Sequence, residues 1–146
     1  MAELAHVVLY VRELKRSVAF YRDIVGLPLV GEIFGGRAAM FSSGRTHHEL
    51  LLIEVGDAPG PLHGRRIGLY HLGWKIGESL DDLRAMKARL EQAGIPLDGQ
   101  SDHTVSQSLY LRDPDGNELE LFVDDPTVDW RNSKAWMEEP VKPLRL

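Results

Sequence analysis

The sequence predicts an α+β fold in which two βαβββ modules follow one another along the chain. The hydrophobic pattern runs through a strand, an amphipathic helix and three short strands, and then repeats that order. Gly26-Leu27-Pro28-Leu29 returns 68 residues later as Gly94-Ile95-Pro96-Leu97, and His6 returns 65 residues later as His71. A repeated unit of this length cannot bury one face of its sheet alone. We therefore expect the modules to form one eight-stranded, open barrel-like sheet around a shared cavity.

The first module covers about residues 4–56. It begins with a β-branched, apolar strand that is followed by a helix with one apolar stripe. Gly26 is expected to end this helix, and Gly35-Gly36 is typical of a hairpin turn. The predicted elements, in chain order, are a strand at 5–11, a helix at about 13–25, and strands at about 27–34, 37–42 and 48–55.

The second module covers about residues 69–124. Ser79 is the expected N-cap of its helix, since a serine side chain can accept a hydrogen bond from the first helical turn. The predicted elements are a strand at 69–76, a helix at about 80–93, and short strands near 96–99, 105–112 and 118–123. The two modules together make a single predicted domain, residues 1–126.

The segments outside the modules have no predicted regular structure. The loop 56–68 contains four glycines and two prolines. Its Arg65 and Arg66 would attract an anionic substrate, although a solvated surface is the favoured interpretation. Residues 127–146 form a C-terminal tail whose Trp130 and Trp136 are expected to cover either the cavity mouth or a dimer interface.

Composition limits the possible functions. The net charge is −5, with 22 acidic and 17 basic residues spread along the chain, so a phosphate-binding surface and a nucleic acid partner are not expected. There are no cysteines, which leaves His, Asp and Glu as the strong metal ligands. The N-terminus does not resemble a leader, and no apolar run is long enough to span a membrane. We expect a cytoplasmic protein without a membrane partner.

The alternation of side chains along each strand predicts which residues face the cavity. In the last strand, Glu118, Glu120 and Phe122 lie opposite an apolar face, and Glu118 is interpreted as a solvated carboxylate at the strand entrance. In the fourth strand, Leu51, Ile53 and Val55 are expected to pack, with His48, Leu50 and Leu52 inside. The same argument places His6 and His71 in the cavity. Four polar side chains are thus predicted to converge: His6, His48, His71 and Glu120.

Two imidazoles and one carboxylate that leave open positions form a ligand set that suits Fe(II) and also accepts Mn, Zn, Co or Ni. The sequence therefore predicts an enzyme with a divalent metal, Fe(II) before the others, held by His6, His71 and Glu120.

The segment 102–122, DHTVSQSLYLRDPDGNELELF, resembles the signature of extradiol ring-cleaving dioxygenases. That signature has a His, then a Tyr, then Asp-Pro-Asp-Gly-Asn and a liganding Glu. Over roughly residues 4–124 the chain resembles the vicinal oxygen chelate superfamily, which also includes glyoxalase I and the bleomycin- and fosfomycin-resistance proteins. Thr104 stands where a glycine commonly follows the signature His.

The resemblance implies the residue roles as well as the fold. It assigns metal ligation to His6, His71 and Glu120. His47-His48 is similar to a paired-His strand whose second His is an acid/base, which gives that role to His48. His103 and Tyr110 match residues that hydrogen-bond the substrate.

The resemblance implies an enzyme that cleaves a catechol-like ring with O₂ and acts in aromatic catabolism. It also implies that the protein forms a homodimer. The first alternative is a glyoxalase-like lyase or isomerase. Such an enzyme usually needs a fourth metal ligand, and the corresponding position in this chain falls in the apolar stretch 50–52. A fosfomycin-type metal-dependent transferase is another enzyme of the same superfamily. The last alternative is a bleomycin-type binding protein, which would have no catalytic metal.

Overall fold

A computed structural model describes all residues from Met1 to Leu146. The chain forms two compact units: residues 1–63 with 113–116, and residues 64–112 with 117–146. Each unit contains one βαβββ module, so the predicted α+β class and the tandem repeat are confirmed. The strands form two hydrogen-bonded sheets, of four and five strands, with one sheet in each unit.

The elements of the first unit are β1 Val7–Val11, α1 Leu14–Ala19, a π-helical segment Phe20–Val25, β2 Leu29–Ile33, a 3₁₀ turn Phe34–Gly36, β3 Ala38–Phe41 and β4 Leu50–Glu54. The strands form a mixed sheet with the order β1-β4-β3-β2, in which β1 and β4 are parallel. Helix α1 continues directly into the π-helical segment, and Gly26 ends it in the left-handed conformation, with φ 93°, as predicted.

Strand β1 alternates as the sequence predicts. Leu9 and Val11 are buried, whereas Val8 and Tyr10 are exposed. One face of the strand therefore packs on the core of the first unit.

Strand β4 does not follow the predicted alternation. Leu50 and Leu52 are fully buried, and Val55, which was expected to pack, is exposed. The parallel register pairs Leu50 with Val7 and Leu52 with Leu9. Because paired residues of adjacent strands point to the same side of a sheet, both leucines must share the packed face of β1. The facing predicted for Leu50 and Leu52 is therefore wrong. His48 precedes β4, so the same alternation does not determine which way its side chain points.

The elements of the second unit are β5 Leu72–Lys75, α2 Leu80–Gln92, β6 Gly99–Asp102, β7 Ser106–Arg112, β8 Glu118–Asp124, a 3₁₀ helix Ala135–Glu138 and β9 Lys142–Pro143. The sheet repeats the arrangement of the first unit, with the strand order β5-β8-β7-β6-β9 and β5 parallel to β8. Ser79 caps α2 as predicted, in a capping box completed by Asp82. None of the helices is long and apolar enough to span a membrane.

Both ends of β6 differ from the predicted boundaries. It starts at Gly99, where the sequence predicted the strand to end. Pro96 has no amide to donate to a ladder, so the apolar residues around it form the connection from α2 rather than the strand. Part of the C-terminal tail joins the same sheet, since Lys142 and Pro143 pair with Asp102 and Ser101.

Candidate metal centre

The core of the candidate site is a contact between His71 and Glu120 in the second unit. His71 directly precedes β5, and Glu120 lies at the middle of the adjacent strand β8. Their side chains meet with His71 Nε2 3.0 Å from Glu120 Oε2, and are 25% and 17% exposed. Leu119 and Leu121, on either side of Glu120, are fully buried, so the alternation of β8 holds Glu120 on the opposite face, as predicted.

The other oxygen of Glu120 accepts two hydrogen bonds from the neighbouring strand β7. Ser108 Oγ donates to Glu120 Oε1 at 2.6 Å, and the Tyr110 hydroxyl donates to the same atom at 3.2 Å. Tyr110 is the direct cross-strand partner of Glu120. The two donors fix the carboxylate and leave Oε2 directed at His71. Sequence reasoning missed Ser108, although its spacing of two residues from Tyr110 places both side chains on one face.

Tyr110 also contacts His103, whose Nε2 lies 2.5 Å from the tyrosine oxygen. Burial, and then the charge of Glu120 and its hydrogen bond, raise the pKa of Tyr110 to about 12. The phenol therefore remains protonated at neutral pH and can donate a hydrogen bond. The predicted residues His71, His103, Tyr110 and Glu120 thus form one connected group in the second unit.

Thr104, directly after His103, has a left-handed backbone with φ 69°. Its amide donates to Asp102 Oδ1 at 2.8 Å, and its hydroxyl oxygen is buried without a hydrogen-bond partner. A left-handed backbone conformation is sterically strained for a β-branched residue, whereas glycine adopts it without strain. This geometry explains why a glycine suits the position after the signature His.

The other predicted histidines lie in the first unit. His6 directly precedes β1, and its ring centroid is 4.5 Å from that of His48. The Nδ1 atoms of His47 and His48 are 2.6 Å apart, so one of the two must carry the shared proton. Burial, followed by the neighbouring His47 and His6, lowers the pKa of His48. A neutral His48 is therefore favoured at neutral pH, which is the form that accepts a proton.

The His71 and Glu120 pair fits a divalent metal. Two ligand atoms at about 2.1 Å from one cation and at right angles to each other are about 3 Å apart, as Nε2 and Oε2 are here. A ring nitrogen lone pair and a carboxylate oxygen at this distance repel each other unless a proton or a cation lies between them. Neither unit by itself assembles three His, Asp or Glu side chains that could hold a metal.

A comparison with known protein families gives a match over most of the chain. Residues 3–121 match the model of the Glyoxalase/Bleomycin resistance protein/Dioxygenase superfamily. The chain belongs to this superfamily. Members typically bind a divalent metal and act on small molecules.

Relatives within the superfamily carry different activities in their names. Catechol-2,3-dioxygenase of Bacillus subtilis (strain 168) is 33% identical over 127 residues, which are 86% of this chain but 43% of that protein. The chain therefore spans less than half the length of that relative. Biphenyl-2,3-diol 1,2-dioxygenase 3 of Rhodococcus globerulus is 29% identical over 148 residues, or 96% of this chain and 75% of that protein.

A solved structure with a similar fold is named for a different reaction. Lactoylglutathione lyase from Agrobacterium tumefaciens superimposes with a TM-score of 0.62 and 29% sequence identity, over 84% of this chain and 94% of that one. The likeness covers both modules, so the tandem fold is shared by superfamily members with different reactions.

The repeat identifies the residue of the first module that corresponds to Glu120, which is where a fourth metal ligand would lie. Strand register pairs Glu120 with Gly73, two residues after His71, and pairs Leu51 with Val8, two residues after His6. Leu51 is therefore the equivalent of Glu120 in the first module. Of residues 50–52, where the sequence placed the position of a fourth ligand, the register selects Leu51. Its side chain is apolar and buried, and supplies no ligand.

Proposed function

We propose that the chain is an extradiol-type dioxygenase that cleaves a catechol-like ring with O₂, using Fe(II) held by His6, His71 and Glu120. The observation that carries the proposal is the connected group around Glu120. One carboxylate oxygen faces His71, and the other is held by Ser108 and Tyr110. When bound, Fe(II) supplies a Lewis acid with open positions for a diol and for O₂.

Two predicted site residues have the protonation states that ring cleavage requires. A catechol must lose a phenolic proton, and His48, with its lowered pKa, is present as the neutral base. Tyr110 is a protonated phenol whose hydrogen bond can move from Glu120 Oε1 to an oxygen on which charge develops. His103 contacts the Tyr110 hydroxyl and orients it. The two dioxygenase relatives, both named for aromatic diols, support the same substrate class.

The direct test is anaerobic loading with Fe(II) followed by O₂ consumption on a panel of catechols. We expect O₂ uptake in proportion to bound iron, with both oxygen atoms in an acyclic product identified by mass spectrometry. Glu120→Ala in the same preparation provides the control without a ligand carboxylate. An iron-loaded chain that consumes no O₂ with any catechol would contradict the proposal.

A second candidate, a glyoxalase-like lyase, is favoured by the likeness to lactoylglutathione lyase. Such an enzyme would convert the adduct of a ketoaldehyde and glutathione without consuming O₂. The apolar Leu51 at the position of a fourth ligand counts against it. Anaerobic turnover of the adduct by the metal-loaded chain, with no reaction on catechols, would favour the lyase over the dioxygenase.

A further inference from the structure

A cavity of about 590 Å³ in the second unit contains two arginines without ion pairs. Arg66 donates only to the carbonyl of Gly64, at 3.1 Å, and Arg65 has no carboxylate within ion-pair distance. The one carboxylate in the lining, Glu118, is bound by Arg112 at 3.2 Å. The residues lining the cavity are Gly64, Arg65, Arg66, Leu69, Tyr70 and Glu118. The cavity therefore presents two arginines that have no carboxylate partner, beside the apolar surfaces of Leu69 and Tyr70.

This cavity adjoins the candidate metal ligands within the same unit. Tyr70, which lines it, has its ring centroid 4.5 Å from that of His71. A second hollow of about 390 Å³ shares Tyr70 and Glu118 with the first and extends to Tyr110. A ligand that contacts the arginines and lies along Tyr70 thus reaches the neighbourhood of His71 and Tyr110.

We propose that Arg65 and Arg66 form a subsite for the carboxylate of an aromatic substrate. This inference rests on the proposed function and specifies its substrates as catechols that carry a carboxylate. Guanidinium groups bind carboxylates through paired, charge-assisted hydrogen bonds, and the exposed apolar surfaces of Leu69 and Tyr70 suit an aromatic ring. The sequence alone favoured a solvated loop for these arginines. The cavity behind them favours a binding site.

The test compares 3,4-dihydroxybenzoate with 3,4-dihydroxybenzamide, which have the same ring and diol but differ in charge. We expect the iron-loaded chain to favour the carboxylate by about tenfold or more in kcat/KM. In the double variant Arg65→Gln/Arg66→Gln the preference should fall to near unity, mainly through KM. The double variant Arg84→Gln/Arg89→Gln removes two exposed arginines of α2, is the matched control for charge and should retain the preference.

Binding of benzoate and benzamide to the metal-free chain, measured by calorimetry at low ionic strength, separates this inference from the proposed function. Tighter binding of benzoate that is lost in the double variant supports the subsite even if no catechol is cleaved. Ring cleavage without any preference for the carboxylate overturns the subsite and leaves the dioxygenase proposal intact. Tighter binding of phenylphosphonate than of benzoate would assign the arginines to a tetrahedral anion and would also overturn the inference.

Discussion

The Tyr21 hydroxyl donates a 2.7 Å hydrogen bond to Asp113 Oδ2, and both side chains are buried in the first unit. Burial, followed by the charge of Asp113 and this hydrogen bond, raises the pKa of Tyr21 well above its ordinary value. The next acidic residue, Asp115, binds Arg12 and Arg16, each at 3.1 Å. The Asp-Pro-Asp-Gly turn that resembles a catalytic signature is therefore an anchor for the fold rather than a group of reacting residues.

Tyr21→Phe tests this anchor. Removing the hydroxyl leaves Asp113 buried with one donor fewer, so the free energy of unfolding should fall by about 1.5–3 kcal/mol. Urea denaturation followed by circular dichroism measures the change. Tyr10→Phe, at a side chain that is 71% exposed, is the control and should leave stability unchanged. Equal stability of the two variants would show that the buried hydrogen bond does not stabilise the fold.

Thr104→Gly should stabilise the protein. Relief of the left-handed conformation, at φ 69°, is worth about 1–2 kcal/mol. The greater freedom of glycine in the unfolded chain offsets about 0.5–1 kcal/mol of that gain. We expect a net increase in the unfolding free energy of up to about 1.5 kcal/mol. Thr46→Gly, at a position without positive φ, should have the opposite sign, and a loss of stability in both variants would contradict the strain at Thr104.

Alternation predicted the facing of β8 correctly because charged residues mark one side of that strand. In β8, Glu118 and Glu120 alternate with leucines, and the structure confirms their orientation. In β4 every position from Leu50 to Ile53 is apolar, so the pattern contained no signal for which face packs. The register with β1 decides it, and register depends on contacts between strands that are distant in sequence.

The sequence predicted part of the candidate site, as it predicted part of the strand facing. The repeat identified His71 and the signature identified Glu120, and the two side chains are in contact. Ser108 has no distinctive sequence neighbourhood, and only its place on β7 beside β8 shows that it holds the carboxylate. The assignment of His6 as a third ligand rests on the repeat and the resemblance and remains a prediction.

Metal binding should be affected more by loss of the Glu120 carboxylate than by loss of the Ser108 hydroxyl that holds it. Glu120→Ala and His71→Ala should each abolish stoichiometric binding of a divalent metal. Ser108→Ala should retain the metal with about 10–100-fold weaker affinity, because the hydrogen bond of Ser108 to Glu120 orients the ligand. Competition with a chelator measures the affinities, and exposed Glu91→Ala on α2 is the control. Stoichiometric metal in Glu120→Ala would refute the site.

His48→Phe separates proton transfer from metal binding. His48 lies beside His6 without being a proposed ligand, and its lowered pKa keeps it neutral at neutral pH. The variant should bind iron normally and slow turnover by about 10²–10⁴, the usual contribution of a general base. His47→Phe removes the neighbouring ring, which is more exposed, and should have a much smaller effect. Because both variants lose one imidazole from the same pair, a turnover rate for His48→Phe as high as that for wild type would contradict the assignment of His48 as the general base.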